Sequence, residues 1–417
     1  MDQIHVNGGR PLNGEVTMSG AKNAALPIIA ASILAGGKFT IRNVPDLKDI
    51  ESIRRLLTTM GAEADYVANT IRIDTSKLSV FEAPYEHVRK MRASILVLGP
   101  LLARMKRARV SLPGGCAIGA RPIDQHLNGL ALLGAEIKVE HGYVEASAKK
   151  LTGAEIYMDL PTVTGTENLM MAAVLAEGRT VLQNAAREPE ITALADVLNL
   201  MGADIKGAGS SVITINGVSS LHPVETEVIP DRIETGTFMV AAALTGGDIR
   251  IHGCEPEHLK ELILKLRKTG AEVTSSERSI HVIGHSPIHS VDIKTMPYPG
   301  FPTDMQAQFM VLMAVAQGFS MISENVFENR LIHVNELQRM GADISISGSH
   351  AMVRGVPHLS GAPVMATDLR ASACLVLAGL VATGTTEIHR VYHLDRGYDS
   401  LEKKFARLGA SIKRVAA

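Results

Sequence analysis

One cysteine, Cys116, lies in a glycine-rich segment whose residue types could carry chemistry. The segment reads Leu112-Pro-Gly-Gly-Cys-Ala-Ile-Gly-Ala-Arg-Pro122, and it places Arg121 five residues after the thiol. Glycine lets a backbone approach a ligand closely, and the flanking prolines are typical of a loop. A thiol with an ordinary pKa of about 8.5 can donate a proton near neutral pH, whereas neighbouring cations favour the nucleophilic thiolate. Most cysteines are small buried hydrophobic residues, so the loop alone leaves a structural role open.

Six cationic residues recur at matching places, at the predicted starts of helices or in the loops before them. Helix N-termini present free N–H groups and a positive dipole end, and the arginine fork suits carboxylates and phosphates. We therefore predict a local anion site in a chain whose net charge is only −1. Taken singly, each cation could instead form a surface ion pair. The six are Lys22, Arg92, Arg121, Arg330, Arg370 and Arg396.

Asp304 stands in the segment Phe301-Pro-Thr-Asp-Met-Gln-Ala-Gln308, where two roles are open. It could cap the helix that follows, or it could act as a general base. The acidic residues of Ala186-Arg-Glu-Pro-Glu190 and Pro230-Asp-Arg-Ile-Glu234 carry the same ambiguity. Spacing alone does not decide between these roles.

A Gly-Ala phrase recurs six times, each time at the predicted end of an amphipathic helix. A glycine after the last helical residue adopts a left-handed conformation and ends the helix. Each repeat is predicted to hold an apolar helix, a strand, the amphipathic helix and two further strands. The glycines follow one another at intervals of 68 to 73 residues, at Gly61, Gly134, Gly202, Gly270, Gly341 and Gly409.

The sixth repeat ends too early to contain its last strands. Residues 4–20 resemble residues 351–367 of another repeat, so we expect the N-terminus to pair with the C-terminal end. The chain is therefore predicted to be an α/β protein with three repeats in each of two domains. One domain would span residues 22–229 and carry the Cys116 loop, and the other would combine residues 1–21 with 230–417. A cleft between them is the expected active site.

Composition excludes several classes of protein. The neutral charge balance and the 4% aromatic content argue against nucleic acid and anionic membranes as partners. Three cysteines without a CxxC motif, and no secretory signal or membrane-spanning run, predict a cytoplasmic protein without disulfides. Cys254 and Cys374 are predicted to be structural. No phosphate-binding P-loop or dinucleotide motif occurs, and His281, His285 and His289 are predicted to be loop residues rather than metal ligands.

Seven motifs spread over the whole chain are similar to those of the enolpyruvyl transferase family. They are Ser19–Asn23, Leu112–Pro122, Pro230–Thr237, Phe301–Gln308, Val326–Arg330, Ala366–Ser372 and Asp395–Gly397. The resemblance implies a pair of inside-out α/β domains, each with three repeats around buried helices. It also points to the branch that uses UDP-N-acetylglucosamine as acceptor, because the sister shikimate-pathway branch lacks the cysteine loop.

The resemblance implies transfer of the enolpyruvyl group of phosphoenolpyruvate to the 3-hydroxyl of UDP-N-acetylglucosamine, by addition and then elimination of phosphate. This reaction is the first committed step of peptidoglycan synthesis, and it calls for no metal or cofactor. Cys116 would protonate the enol carbon, form a covalent adduct and be the residue alkylated by fosfomycin. Asp304 would take the proton of the 3-hydroxyl. Whether Cys116 acts mainly as an acid or as a nucleophile depends on its pKa in the site.

The resemblance further implies which residues bind each substrate, with Lys22 and Arg396 also counted as catalytic. Phosphoenolpyruvate would be held by Lys22, Asn23, Arg121, Arg370 and Arg396. The sugar nucleotide would contact Asn23, Arg92, Arg121, Pro122, Ile123, Asp124, Gln125, Thr162, Val163, Thr164, Gly165, Asp304 and Val326. The site would be supported by Arg330, Asp368 and Glu328.

Two other hypotheses compete with this one. The chain could be a non-catalytic α/β repeat scaffold that binds an anionic partner, or a sister enzyme that acts on another acceptor. Cys116 favours the transferase that uses UDP-N-acetylglucosamine over the scaffold and the sister enzyme, because a plain binding site needs no reactive thiol in a glycine-rich loop.

Overall fold

A computed structural model describes residues 2–89, 91–112, 118–119 and 122–416 of this chain. The described residues divide into two compact units. The first unit holds those within residues 20–116 and 120–229, and the second holds those within residues 1–19, 117–119 and 230–417. Each unit has its own hydrophobic core.

The strands are short, and most alternate buried with exposed side chains, as expected for sheets with one face on a core. In chain order they are β1 (Gln3–Asn7), β2 (Asn13–Thr17), β3 (Lys38–Arg42), β4 (Glu63–Val67), β5 (Thr70–Asp74), β6 (Glu82–Ala83), β7 (Arg107–Ser111), β8 (Glu136–Glu140), β9 (Tyr143–Ser147), β10 (Glu155–Tyr157), β11 (Arg179–Gln183), β12 (Asp204–Lys206), β13 (Val212–Asn216), β14 (Glu225–Glu227), β15 (Asp248–His252), β16 (Glu272–Ser275), β17 (Ser279–Ile283), β18 (Ile293–Lys294), β19 (Phe319–Ser323), β20 (Asp343–Ser347), β21 (His350–Arg354), β22 (Pro363–Met365), β23 (Thr385–His389) and β24 (Ser411–Val415).

The helices alternate with these strands along the chain. They are α1 (Lys22–Ala31), α2 (Lys48–Thr59), α3 (Tyr85–Val88), α4 (Leu98–Met105), α5 (Asp124–Leu132), α6 (Val163–Ala173), α7 (Pro189–Leu200), α8 (Arg232–Thr245), α9 (Lys260–Lys268), α10 (Gln306–Ala314), α11 (Val334–Arg339), α12 (Leu369–Val381) and α13 (Leu401–Arg407). Short 3₁₀ segments lie at Ser32–Leu34, Arg92–Val97, Pro256–Leu259, Thr303–Met305 and Val391–Arg396.

Each unit contains three four-stranded sheets of one design. An edge strand pairs in parallel with a central strand, and two further strands complete the sheet in antiparallel pairing. These two strands form a hairpin in five of the sheets, whereas in the sixth they are β1 and β24. The first unit has the sheets β14-β3-β5-β4, β6-β7-β9-β8 and β10-β11-β13-β12. The second has β2-β15-β17-β16, β18-β19-β21-β20 and β22-β23-β1-β24. The six sheets correspond to the six repeats in the sequence.

Both units close on themselves through strands that are distant in the chain. In the first unit β14 comes last but pairs with β3, which comes first. In the second unit β1 lies between β23 and β24, with Ile4 opposite Ile388 and Arg414. Strand β2 then pairs in parallel with β15. The N-terminal residues therefore supply strands to two sheets of the second unit.

Three helices of each unit are buried on almost all sides, namely α1, α4 and α6 in the first unit and α8, α10 and α12 in the second. Every residue of α10 is buried. A helix that is apolar on all sides belongs inside a protein, which explains why these segments, with the exception of α4, lack an amphipathic pattern. The sheets surround the helices, and this is the inside-out α/β arrangement that the family resemblance implies.

The six repeat glycines all have positive φ angles, between 90° and 105°. Each follows the last turn of an outer helix, as predicted, and glycine adopts this backbone region without the steric cost paid by other residues.

Helix α6 begins at Val163, where the Thr162 side chain accepts a hydrogen bond from the Gly165 N–H at 3.3 Å and caps the helix. One detail differs from the sequence-based predictions. His281 lies on strand β17 and contacts Asp248, so the prediction of a loop position was wrong for this residue. In the described part of the chain, no helix has the length and apolar character needed to cross a membrane.

Strand β1 offers a direct test of how the second unit closes. Ile4→Ala empties a fully buried position at the centre of its sheet, and we expect it to cost about 2–5 kcal/mol of stability. Ile346→Ala, at a 47% exposed isoleucine on β20, is the matched control and should cost about 0.5 kcal/mol or less. Hydrogen exchange should show faster amide exchange in β23 and β24 only for Ile4→Ala. Equal protection in both variants would contradict the observed closure.

Candidate active site

Lys22 opens helix α1 of the first unit and is only 8% exposed. A cation at this end of a helix faces the positive end of the helix dipole, so it needs a compensating charge. Asp49, buried in the first turn of α2, supplies that charge, with its Oδ2 3.3 Å from Lys22 Nζ. Asn23 lies beside Lys22 and is half-buried. Pro27, inside α1, cannot donate the usual helical hydrogen bond to the Asn23 carbonyl.

Arg92 and Thr164 belong to a network around His126, a buried residue that sequence reasoning missed. Asn168 Oδ1 accepts the Gly99 N–H at 2.6 Å, so the Asn168 amide nitrogen is the donor to His126 Nδ1 at 3.1 Å. His126 therefore carries its proton on Nε2 and donates it to Thr164 Oγ1 at 3.3 Å. Burial lowers the pKa of His126 to about 4, and the charge of Arg92 acts in the same direction. The imidazole is therefore neutral at neutral pH and orients Thr164.

The other residues predicted to contact the sugar nucleotide in this unit surround two helix starts. Pro122 and Ile123 precede α5, which begins at Asp124, and Thr162 is the cap of α6, which begins at Val163. Pro122 and Asp124 are exposed, whereas Ile123, Gln125 and the Thr162–Thr164 stretch are half-buried and Gly165 is buried. Both helix starts present N–H groups that suit an anion.

Cys116 and Arg121 lie outside the described residues. Ile118 and Gly119 of the same loop are described, and they belong to the second unit. The Asn329 N–H donates to the Ile118 carbonyl at 3.2 Å. Gly119 has a φ of 144°, a backbone conformation that glycine adopts without strain and that residues with a Cβ atom rarely adopt.

In the second unit, the structure brings together three predicted residues, Asp304, Arg330 and Arg370. Asp304 Oδ1 is 2.6 Å from Arg330 Nη2, and its Oδ2 is 3.0 Å from Arg370 Nη2. Both guanidinium groups are buried, and the carboxylate is a quarter exposed. Burial by itself would raise the pKa of Asp304, but Arg370 and Arg330 outweigh it and hold this pKa well below its ordinary value.

Glu324 organises the loop before Arg330, and sequence reasoning missed it. Its buried carboxylate accepts hydrogen bonds from Thr295 Oγ1 at 3.0 Å and Thr303 Oγ1 at 2.8 Å. It also accepts the N–H groups of Val326 and Phe327, at 2.9 and 3.1 Å. Glu324 therefore joins the segment that carries Asp304 to the turn that carries Val326, whose side chain is exposed. The available signal was an acid immediately after a strand with alternating buried positions.

Asp368 and Asp395 hold the backbone near two of the predicted arginines. Asp368 caps α12 by accepting the N–H groups of Arg370 and Ala371, at 2.7 and 3.0 Å. Arg414 of β24 forms a bidentate ion pair with Asp395, in which Nη2 is 2.5 Å from Oδ1 and Nη1 is 3.2 Å from Oδ2. The half-buried Arg396 follows Asp395 directly, so the C-terminal strand helps to anchor its segment.

The two described cysteines are buried free thiols. Burial raises the pKa of Cys254 to about 11, and it raises that of Cys374 well above the ordinary value. Neither residue supplies a thiolate at neutral pH, which agrees with the structural role predicted for both. The described residues also contain no group of three or more His, Cys, Asp or Glu side chains that could hold a metal ion.

Glu167 on α6 is a fully buried carboxyl group next to the Thr162–Gly165 stretch. Burial raises its pKa well above the ordinary value, and the negative charges of Glu190 and Glu188 act in the same direction. Its Oε1 has no hydrogen-bond partner among the described residues. Glu167 is therefore protonated in the folded chain over a pH range in which an exposed glutamate is ionised.

This protonated carboxyl makes stability depend on pH. The protonated carboxyl contributes its full stability to the folded chain below the unfolded-state pKa of about 4.3. This stability is lost as the pH rises through the higher folded-state pKa. Glu167→Gln keeps the neutral form at every pH, so the difference between its Tm and that of wild type should increase by a few degrees as the pH rises above about 4.3. Glu155→Gln, at an exposed position on β10, is the control and should follow the wild-type curve. Parallel Tm curves for Glu167→Gln and wild type would contradict the protonated state.

Known proteins are similar to this chain over nearly its whole length. Residues 6–405 match the protein family described as EPSP synthase (3-phosphoshikimate 1-carboxyvinyltransferase). The UDP-N-acetylglucosamine 1-carboxyvinyltransferases of Desulfatibacillum aliphaticivorans and Desulfosudis oleivorans are 66% and 67% identical over 415 residues, with 100% of each chain covered.

Solved structures show the same fold. The enolpyruvyl transferase NikO from Streptomyces tendae has a TM-score of 0.90 at 28% identity, covering 100% of this chain and 99% of its own. An EPSP synthase from Acinetobacter baumannii has a TM-score of 0.78 at 19% identity with 100% of both chains covered, a likeness of fold alone. The match over nearly the whole length and the identity to full-length relatives show that this chain belongs to the EPSP synthase family of enolpyruvyl transferases.

Proposed function

We propose that this protein transfers the enolpyruvyl group of phosphoenolpyruvate to the 3-hydroxyl of UDP-N-acetylglucosamine and releases phosphate. The observation that carries the proposal is identity of 66–67% over the full length of relatives named for this activity. The product is a precursor for peptidoglycan. The reaction adds the hydroxyl oxygen to C2 of phosphoenolpyruvate and a proton to C3. It then breaks the bond from C2 to the phosphate oxygen and removes a proton from C3.

Cys116 is proposed as the acid that protonates C3 and as the thiol that forms a covalent adduct. The motif from Leu112 to Pro122 supports this assignment, as do the two other thiols, which are buried and have raised pKa values. The same thiol is the proposed target of fosfomycin, whose epoxide ring a thiolate opens.

Lys22, Asn23, Arg121, Arg370 and Arg396 are proposed to hold phosphoenolpyruvate. Burial of Lys22 beside Asp49 supports this role, because an incoming anion can draw the ammonium group away from its partner. Arg370 is buried, and its Nε and Nη1 have no hydrogen-bond partner among the described residues. These donors suit a phosphate or carboxylate oxygen.

Asp304 is proposed to take the proton of the 3-hydroxyl. Held by two arginines, its carboxylate is a weak base in the present arrangement. A phosphate bound at Arg370 brings negative charge close to Asp304 and raises its pKa, because like charges disfavour ionisation. Binding of phosphoenolpyruvate would therefore prepare Asp304 as a base, with Arg330, Asp368 and Glu328 in supporting roles.

The sugar nucleotide is proposed to bind along Asn23, Arg92, Arg121–Gln125, Thr162–Gly165, Asp304 and Val326. The helix starts at Asp124 and Val163, with the neutral His126 orienting Thr164, support a site for a phosphorylated ligand in the first unit. The acceptor of the EPSP synthase branch, 3-phosphoshikimate, is the second candidate, since the family match carries that description.

Phosphate release distinguishes the two acceptors. The protein is incubated with phosphoenolpyruvate and either UDP-N-acetylglucosamine, 3-phosphoshikimate or no acceptor, and free phosphate is measured over time. We expect release with UDP-N-acetylglucosamine only, and Cys116→Ser should lower kcat by about 10²–10⁴-fold. Folded protein that releases phosphate only with 3-phosphoshikimate, or with neither acceptor, would overturn the proposal.

Fosfomycin tests the assignment of the thiol. We expect intact-mass measurement to show one adduct per wild-type chain and none on Cys116→Ser. Cys254→Ala and Cys374→Ala should keep the adduct, because both native thiols are buried and have raised pKa values. Labelling that survives Cys116→Ser but is lost in one of the other variants would move the reactive thiol to that position.

A further inference from the structure

Tyr398 lies just beyond the 3₁₀ segment that ends at Arg396, and it is only 3% exposed. Its hydroxyl sits among side chains from two of the inner helices of the second unit. Thr237 Oγ1 of α8 is 3.0 Å from Tyr398 Oη, and Gln308 Nε2 of α10 donates to the same oxygen at 3.2 Å. The residues that surround Tyr398 in the sequence do not indicate a role for it.

The direction of each hydrogen bond follows from the available donors. Thr237 has one hydroxyl proton, and it donates that proton to the Ile233 carbonyl at 2.8 Å. Tyr398 must therefore donate its own proton to Thr237 Oγ1 and accept from Gln308. The Arg370 side chain forms a further hydrogen bond with Tyr398, and this bond takes the acceptor position of the tyrosine oxygen that these two bonds leave.

Two connections lead from this cluster to Asp304. Arg370 packs over the Tyr398 ring, with its guanidinium carbon 5.3 Å from the ring centroid, and its Nη2 donates to Asp304 Oδ2 at 3.0 Å. Gln308 Nε2 also donates to the Asp304 backbone carbonyl at 3.0 Å. The cluster therefore contacts the side chain of Asp304 through Arg370 and its main chain through Gln308.

Arg370 is buried while its Nε and Nη1 remain without partners in the described chain. The Tyr398 ring limits where the guanidinium group can lie, because a planar cation packs on an aromatic face. Donors that are buried, restrained and unpaired can hold an anionic ligand in one orientation.

We propose that Tyr398 is a positioning residue. Its hydroxyl is held by Thr237 and Gln308, and it keeps the aromatic ring and Arg370 in one orientation. In that orientation Arg370 Nη2 donates to Asp304, while Nε and Nη1, which have no partner among the described residues, face a phosphate group. The proposal rests on the proposed function, since it takes the phosphate group to be that of phosphoenolpyruvate. Tyr398 itself does not touch the reacting atoms.

Tyr398→Phe keeps the ring and removes only the hydroxyl. We expect kcat/KM for phosphoenolpyruvate to fall about five- to tenfold, with KM for UDP-N-acetylglucosamine unchanged. Thr237→Val removes the acceptor of the tyrosine proton and should have a similar effect, whereas Thr237→Ser keeps that acceptor and should restore wild-type kinetics. Tyr157→Phe, at a 67% exposed tyrosine on β10, is the matched control.

A double-mutant cycle shows whether Tyr398 acts through Arg370. Tyr398→Phe combined with Arg370→Lys should lose little more activity than Arg370→Lys alone, because the second change removes what the first one positions. If the fold-loss of activity in the double variant equals the product of the two single losses, the residues act independently and the proposal is overturned. Lower thermal stability without any kinetic change would also overturn it, since that result indicates a purely structural hydroxyl.

Ligand-induced stabilisation tests the same idea without turnover. Phosphoenolpyruvate, in the absence of acceptor, should raise the Tm of wild type and Tyr157→Phe more than that of Tyr398→Phe. An equal increase in all three proteins, or none in wild type, contradicts the positioning role. If wild type fails to turn over UDP-N-acetylglucosamine but Tyr398→Phe still loses the Tm increase, the proposed function fails and the positioning role stands.

Discussion

The second unit depends on one charge arrangement, in which the Asp304 carboxylate lies between the buried guanidinium groups of Arg330 and Arg370. Two buried cations without this carboxylate would be strongly destabilising, and a carboxylate without them would lose its low pKa. The surrounding polar groups serve this arrangement. Glu324 orders the turn before Arg330, and Asp368 caps the helix that begins next to Arg370.

The inside-out repeat provides the positions at which such charges can be placed. The inner helices of the second unit are surrounded by apolar side chains, and their buried polar residues lie mainly in the first turns. Lys22 opens an inner helix of the first unit, Asp304 lies in the 3₁₀ turn before α10, and Arg370 lies in the first turn of α12. Repetition of one structural unit thus yields several sites suited to anions in a chain with almost no net charge.

In the first unit, burial keeps two ionisable side chains uncharged, whereas the second unit pairs opposite charges. His126 is kept neutral by burial, and Glu167 is kept protonated by burial and by two neighbouring glutamates. Neutral groups beside the Thr162–Gly165 stretch preserve hydrogen bonding without adding charge that a phosphorylated ligand would have to overcome. The family to which the chain belongs transfers enolpyruvyl groups, and both substrates of the proposed reaction are anions.

The sequence alone determined the repeat, the buried helices and the α/β class, because glycine spacing and apolar periodicity are local and recur six times. It also indicated Asp304, Arg330 and Arg370 as site residues, although not that the three form one ion-paired group. Glu324, His126, Glu167 and Tyr398 emerged only from the tertiary structure. Their roles depend on partners far away in the chain, such as Thr295 for Glu324 and Thr237 for Tyr398. Burial and long-range contacts set the charge state and the orientation of a side chain, and neither property is written in the residues beside it.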